Sequence, residues 1–259
     1  MKRSVKRAAE VVFAPSAAPA GVFAGTSGWA YPTWKPGFYP DGLASKKFLS
    51  FYSSQMNSVE VNYTFRHLPS ASTIDGWLAQ TGGDFRFSFK APQRITHIKR
   101  LKECSDALTA FYSALLPVIR AGRMGVVLFQ LPPNLKADTD RLADFLKEAA
   151  PAATSALRVA FEFRHPSWFT SEVFDLLRRH QAALCVAESD ELETPDVITA
   201  PFCCYRLRKS DYGATELQQI ETRLSEKVRQ GDVFAYIKHE DSPKGALQAA
   251  ALLARLRAQ

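Results

Sequence analysis

Eight short runs rich in apolar and β-favouring residues recur along the chain: VFAGTSGW at 22–29, SVEVNYTF at 58–65, FRFSFKAP at 85–92, GVVLFQLP at 125–132, RVAFEFRH at 158–165, ALCVAES at 183–189, FCCYRLR at 202–208 and VFAYIKHE at 233–240. Between most of them lie stretches with apolar residues at three- and four-residue spacing, among them 45–56, 104–119, 138–149, 171–180, 215–230 and 244–256. That spacing predicts amphipathic helices. Strand alternating with helix implies a parallel sheet with helices packed on it. Eight strands favour closure into a TIM-type (β/α)8 barrel, because closure leaves no edge strand to protect. The alternative is an open doubly wound sheet, but the chain has neither a G-x-G-x-x-G turn after a strand nor a G-x-x-x-x-G-K-S/T loop. One unit breaks the pattern. The segment 190–201, DELETPDVITAP, is short and contains Pro195, so the sixth helix is expected to be missing or a single turn.

Alternation along a barrel strand sends one set of side chains into the lumen and the other beneath the helices, where an unpaired charge is costly. Charged residues near strand ends should therefore point inward. This rule places Glu60 with Asn62 on the second strand, Ser88 with Lys90 on the third and Gln130 on the fourth. It also places Glu162 with Arg164 on the fifth and Arg206 with Arg208 on the seventh. The eighth strand contributes Lys238 or His239, and alternation does not choose between them. The first halves of these strands are apolar, as in VVLF, RVAF and FCC, and the polar groups gather in the second halves. In such barrels that end carries the functional site. The plainer reading is a polar layer that only pairs with itself.

Length and composition fit this picture. At 259 residues the chain has the size of one such barrel, about 250 residues. Residues 21–259 therefore read as one domain, preceded by a disordered tail at 1–20. With 46% hydrophobic and 23% charged residues the chain can bury a large core, which excludes disorder throughout. The net charge of +7 favours anionic partners, but Lys2, Arg3, Lys6 and Arg7, opposed in the tail by Glu10 alone, account for part of it. Glu10 and Pro15 interrupt what would be the apolar core of a signal peptide. No apolar run approaches the about 20 residues of a membrane span, so a cytoplasmic protein without membrane association is expected. Cys104, Cys185, Cys203 and Cys204 form no C-x-x-C pair and read as reduced core residues.

Other features carry less. Gly25 to Trp29, GTSGW, ends the first strand with two glycines, and its N–H groups around Ser27 and Gly28 could form an anion nest or a plain tight turn. Trp29, Tyr31, Trp34, Phe38 and Tyr39 could stack on a base or sugar, or close the barrel top as a hydrophobic lid. The stretch from Gln93 to Lys102 carries Arg94, Lys99, Arg100 and Lys102 without an acid, which suits phosphate contact or a solvated surface. Five histidines show no H-x-x-x-H or H-E-x-x-H spacing, and no G-x-S-x-G marks a serine nucleophile. No motif names a cofactor.

At these residues the sequence resembles the YecE-like family, domain of unknown function 72. The likeness runs through GTSGWAYPTWKPGFYP from Gly25, SVEVNYTFRHLPS from Ser58, FSFKAPQRITHIKRL from Phe87, FQLPPNL from Phe129, EFRHPSW from Glu162, and the RLR and KHED segments near the end. The resemblance implies a TIM-type barrel and supplies no established activity. The likeness of such barrels to the endonuclease IV and sugar isomerase group suggests a nuclease-like role by fold analogy. This chain lacks an evident supply of histidines and acids for a three-metal site of that kind. Where many members resemble N-N-H at the end of the last strand, it has Ile237, Lys238 and His239.

Three functions remain open on the sequence. The first is an enzyme acting on a small phosphorylated or carboxylated substrate at the barrel mouth. Arg164, Arg206 and Lys238 would neutralise the anion and Glu60 or Glu162 would move a proton, or Lys90 would act as a Schiff-base nucleophile. Ser27, Gly28, Trp29, Asn62, Gln130, His165, Arg208 and His239 complete the candidate binding set. The second is a nucleic-acid-binding or nucleic-acid-processing protein, which a continuous basic stripe wider than the mouth would favour. The third is a noncatalytic ligand-binding module.

Overall fold

The computed structural model describes residues 21–150, 157–189, 192–209, 212–238 and 241–257. The tail at 1–20 and His239 lie outside the described residues. The apolar runs form β1 (Val22–Thr26), β2 (Ser58–Val61), β3 (Arg86–Lys90), β4 (Met124–Gln130), β5 (Arg158–Glu162), β6 (Ala183–Glu188), β7 (Phe202–Leu207) and β8 (Asp232–Ile237). They pair in parallel in the order β1-β8-β7-β6-β5-β4-β3-β2, and a bridge between Ser27 and Glu60 brings the two ends together. The helices are α1 (Phe48–Gln55), α2 (Ala71–Ala79), α3 (Ser105–Arg120), α4 (Thr139–Ala149), α5 (Ser171–Arg179), α6 (Ala214–Lys227) and α7 (Lys244–Arg257). The result is a nearly closed α/β barrel of the TIM type.

Between β6 and β7 the described residues contain no helix. The chain runs back along β6 instead, with Thr194 Oγ1 donating to Ala187 O at 3.1 Å and Leu184 N to Thr199 Oγ1 at 2.8 Å. The run at 58–65 remains strand only as far as Val61, then turns into a single 3-10 turn at Tyr63–Phe65. That turn is pinned by Thr64 Oγ1, which lies 3.0 Å from Val61 O and 2.7 Å from Lys90 O. The short α2 is capped by Ser70, whose hydroxyl accepts from Thr73 N at 3.2 Å.

Strand alternation sorts the apolar residues into two cores. A large one fills the layer between strands and helices. A smaller one, including Val126, Leu128, Cys185, Cys204, Phe234 and Tyr236, occupies the lumen. Phe23 stacks on Phe234 with ring centroids 4.8 Å apart at the N-terminal end, and the Arg158–Asp232 pair, 2.5 Å, lies beside them. Midway up, Tyr236 Oη meets Ser58 Oγ at 2.8 Å and Ser88 Oγ at 2.6 Å. All four cysteines are buried and unpaired. The lumen is thus largely apolar in its lower and middle parts, closed at the bottom beside the Arg158–Asp232 pair, and charged at its upper end.

Between β1 and β2 the ladder is made largely by side chains. Asn57 Oδ1 accepts from Ala24 N at 2.9 Å and its Nδ2 donates to Val22 O at 2.8 Å. Tyr52 Oη accepts from Thr26 N at 2.8 Å and lies 3.0 Å from Ser58 O. Gly25 sits between them because the strands approach too closely for a side chain: a Cβ there would lie 1.9 Å from Ser58 O. Tyr52→Phe leaves the buried Thr26 amide without an acceptor, and Asn57→Ala strips two backbone groups of theirs. Each is expected to lower unfolding free energy by about 1–3 kcal/mol in urea titrations, and an unchanged midpoint for both would disprove the side-chain seam.

Candidate functional site

At the C-terminal end of the barrel the inward-facing residues of β2, β5 and β7 meet. Arg206 donates Nε to Glu60 Oε2 at 2.9 Å, Nη2 to Glu60 Oε1 at 2.8 Å and Nη1 to Glu162 Oε2 at 2.5 Å. Ser27 Oγ donates to Glu60 Oε1 at 2.8 Å, Gln130 Nε2 to Glu162 Oε1 at 2.8 Å, and Arg208 Nη1 reaches Glu162 Oε1 at 3.2 Å. Arg206 is 2% exposed, and Glu60 and Glu162 are 1% exposed. Such a buried cluster is tolerable because each carboxylate oxygen has a donor and each nitrogen of the Arg206 guanidinium an acceptor. Burial opposes ionisation of Glu162, but Arg206 and Arg208 outweigh it and hold the carboxyl below its ordinary range. The same attraction from Glu162 and Glu60 overcomes burial to keep Arg206 protonated.

Two clefts open on either side of Arg208. One, of about 390 Å³, is lined by Tyr31, Asn62, Arg66, Lys90, Arg206 and Lys238 together with the 3-10 turn and His67. The other, of about 280 Å³, is lined by Pro133, Glu162, Arg164, Ser189 and Thr194 among others. Arg208 belongs to both. It gives one nitrogen to Glu162 and has no other partner among the described residues. Arg164 likewise has no hydrogen bond or ion pair among them.

Lys90 is the cation that β3 contributes to this layer. Its Nζ lies 4.1 Å from the centroid of the Phe65 ring and has no carboxylate partner among the described residues. Burial, then the neighbouring Arg206, lower its pKa to about 8, against the opposing pull of Glu60 and Glu162. His97 meets the same ring in a T-shaped contact, 5.1 Å between centroids, and its Nδ1 meets Thr96 Oγ1 at 2.8 Å. Burial, with Lys90, Arg164 and Arg100 nearby, lowers its pKa as well, which favours a neutral imidazole.

Of the residues that sequence parity placed inward, Glu60, Glu162, Arg206, Gln130 and Arg208 form one bonded network, with Lys90, Asn62 and Arg164 around it, and Ser27 joins through its side chain. Among the described residues, Lys238, which continues the alternation of Phe234 and Tyr236, lines the mouth, while His239 lies outside them. Other expectations need correction. The amides at Ser27 and Gly28 do not form an anion nest, because they donate to Ile237 O at 3.2 Å and Glu60 O at 2.9 Å across the closing seam. Trp29 packs edge-on against Trp77, 5.4 Å between centroids. Trp34, Phe38 and Tyr39 are buried against α1, with Tyr39 stacked on Phe48 at 4.1 Å, so they form no lid over the mouth. His165 turns back to its own chain, its Nδ1 accepting from Ser167 N at 3.2 Å. Tyr63, Phe65, Arg66 and His67 line the cleft without having been singled out as site residues, because the turn after β2 sets their direction, and Tyr31, one of the aromatic residues read as a stacking surface or lid, lines it with them. The break in alternation after Val61 was the available signal.

Residues 23–259 match the family model described as protein of unknown function DUF72. A 149-residue stretch is 32% identical to the UPF0759 protein YecE of Escherichia coli K12, covering 57% of this chain and 50% of that protein. The UPF0759 protein YunF of Bacillus subtilis is 28% identical over 158 residues, 60% of this chain and 54% of that one. The matched stretch thus spans about half the length of these relatives. The crystal structure of a DUF72 family protein from Thermotoga maritima superposes with a TM-score of 0.80 at 23% identity, covering 92% of this chain and 99% of that one, which shows a shared fold.

Two substitutions test the electrostatics. Arg206→Met leaves buried Glu60 without a cation and Glu162 with Arg208 alone, and is expected to cost about 3–5 kcal/mol or prevent folding. Lys90→Met removes a charge that folding disfavours and is expected to stabilise the protein at pH 7 by about 2 kcal/mol. Below pH 8 Lys90 is protonated both folded and unfolded, so the penalty is complete. It declines between about 8 and the ordinary 10.5, as the folded state releases its proton first, and is gone above that range. Denaturant titrations at pH 7 and pH 10 should therefore show the advantage of Lys90→Met shrinking as pH rises; an advantage that grows would refute the assignment.

Proposed function

The chain belongs to the DUF72 family, proteins of unknown function, and from that starting point we propose that its barrel mouth is the active site of an enzyme for a small anionic substrate. The observation that carries this reading is the charge of the two clefts. Arg66, Lys90, Arg164, Arg206 and Arg208 line them against Glu162 as the acid among the described lining residues. Glu162 and Glu60 are both held by arginine, so neither cancels the field that Lys90, Arg164 and Arg66 present to the opening. Low-dielectric walls focus such a field toward an entering phosphate or carboxylate. Arg208 suits a bidentate grip, having guanidinium nitrogens left over from its contact with Glu162.

The division of labour differs from that expected at first. Glu60 and Glu162 are saturated with donors and buried, which suits them to positioning Arg206 and Arg208. Lys90, lowered to about 8, is the group whose protonation changes closest to neutral pH, and His97 beside it is held in its neutral form. A nucleic-acid role has less support, because part of the basic loop is tied down locally: Lys99 Nζ donates to Glu103 O, and Arg100 reaches Asn134 at 3.5 Å. The site reading is tested by calorimetric titration of phosphate, sulfate and a sugar phosphate into the parent protein and Arg208→Glu. We expect at least one anion to bind the parent and to lose roughly tenfold in affinity or more in the variant. Equal, weak binding by both proteins would discard the anionic-substrate reading.

A further inference from the structure

Building on the anionic mouth proposed above, we propose that Lys90 is a nucleophile that forms a Schiff base with an aldehyde or ketone carrying a phosphate or carboxylate group. Three observations meet at this residue. The first is placement: β3 delivers Lys90 to the floor of the 390 Å³ cleft, at the strand end that carries chemistry in such barrels. Its backbone is fixed there by Thr64 Oγ1 at 2.7 Å from Lys90 O and by the amide of Ala91 donating to Leu128 O at 2.8 Å. A reacting amine needs that constraint to meet its target in a productive geometry.

The second is what surrounds Nζ. The other strand-end charges nearest the barrel axis are locked to one another, whereas the Lys90 ammonium rests on the face of Phe65 without a carboxylate to hold its proton. Burial and the neighbouring guanidinium groups favour the neutral amine, the form with a lone pair available, and outweigh the attraction of the ammonium to the ring face. Its pKa of about 8 leaves an appreciable neutral fraction near neutral pH. The third is an unpartnered acceptor: Asn62 lines the same cleft, and its buried Oδ1 has no hydrogen-bond partner. Such an atom costs stability unless a ligand completes it, and it could accept from the hydroxyl of a carbinolamine.

The chemistry balances without a further reagent. The ammonium first gives one proton to solvent, and the amine lone pair attacks the carbonyl carbon while the C=O π pair moves to oxygen. Proton transfer gives a neutral carbinolamine, whose hydroxyl takes up one proton and departs as water. The N–H that remains makes the product a protonated iminium; in sum, ammonium plus carbonyl gives iminium plus water. The anionic group of the substrate would lie against Arg208, whose fork borders the same cleft.

Reductive trapping on the full chain tests this. The protein is incubated separately with dihydroxyacetone phosphate, pyruvate and neutral dihydroxyacetone, each with sodium borohydride, and the adducts are located by peptide mass mapping. We expect a reduced adduct concentrated on Lys90 with one or both anionic probes, exceeding the neutral probe by on the order of tenfold, as an anion anchor requires. The phosphate and carboxylate arms identify which group the site prefers. Lys90→Arg and Lys90→Met should each lose that adduct while keeping their circular dichroism spectra. Adducts spread evenly over surface lysines, or equal yield from all three probes, would overturn the proposal. Phosphate titration of the same samples separates the two readings: Arg208-dependent phosphate binding without a Lys90 adduct removes the covalent step alone, whereas absence of both removes the anionic mouth as well.

Discussion

The guanidinium of Arg206, held between Glu60 and Glu162, is the interaction around which the mouth of this barrel is arranged. These residues come from β7, β2 and β5, far apart around the ring, so their ion pairs span the lumen and link strands that share no backbone ladder. A buried ion pair contributes little net stability when compared with an apolar filling, because desolvation opposes the attraction. What it fixes is geometry. With every oxygen of both carboxylates bonded, the directions in which Arg208 and Gln130 leave their strands are fixed too.

The same network explains why Lys90 stands apart. Both acids near it are already engaged by arginine, so the lysine is left with Phe65 and a set of like charges. A cation kept in that condition is unfavourable for folding, and the surrounding barrel supplies the stability that tolerates it. The rest of the structure holds the arrangement still from below. The Tyr236 hydroxyl with Ser58 and Ser88, and the aromatic plug of Phe23 and Phe234, fill the lumen and leave the charged layer at its upper end. The seam between β1 and β2 matters for the same reason. Glu60 closes the barrel through its backbone, where Gly28 N donates to Glu60 O at 2.9 Å, and organises the mouth through its side chain.

Each of the eight apolar runs marked a real strand, and the rule that strand-end charges face the lumen selected the members of the Arg206 network. Both follow from forces local in sequence: alternation has a period of two, and an unpaired charge beneath a helix is costly. The polar upper halves of the strands were therefore legible as a site without any knowledge of which groups would touch. Family motifs through nearly the whole chain pointed to the same barrel.

What remained hidden depends on contacts between distant segments. Whether Arg206 faces a ligand or two glutamates is set by the barrel's diameter and the stagger of β2, β5 and β7, and no pattern within one strand encodes it. The amides at Ser27 and Gly28 resembled an anion nest only until β8 and β2 supplied their acceptors. The aromatic residues from Trp34 to Tyr39 found a place against α1 that composition could not indicate. Sequence by itself determined the barrel, the polar end and the sign of the charge there, because periodicity and burial cost act along the chain. Tertiary structure alone decided which of those charges are paired and which is left on an aromatic face, because pairing depends on distances across the lumen.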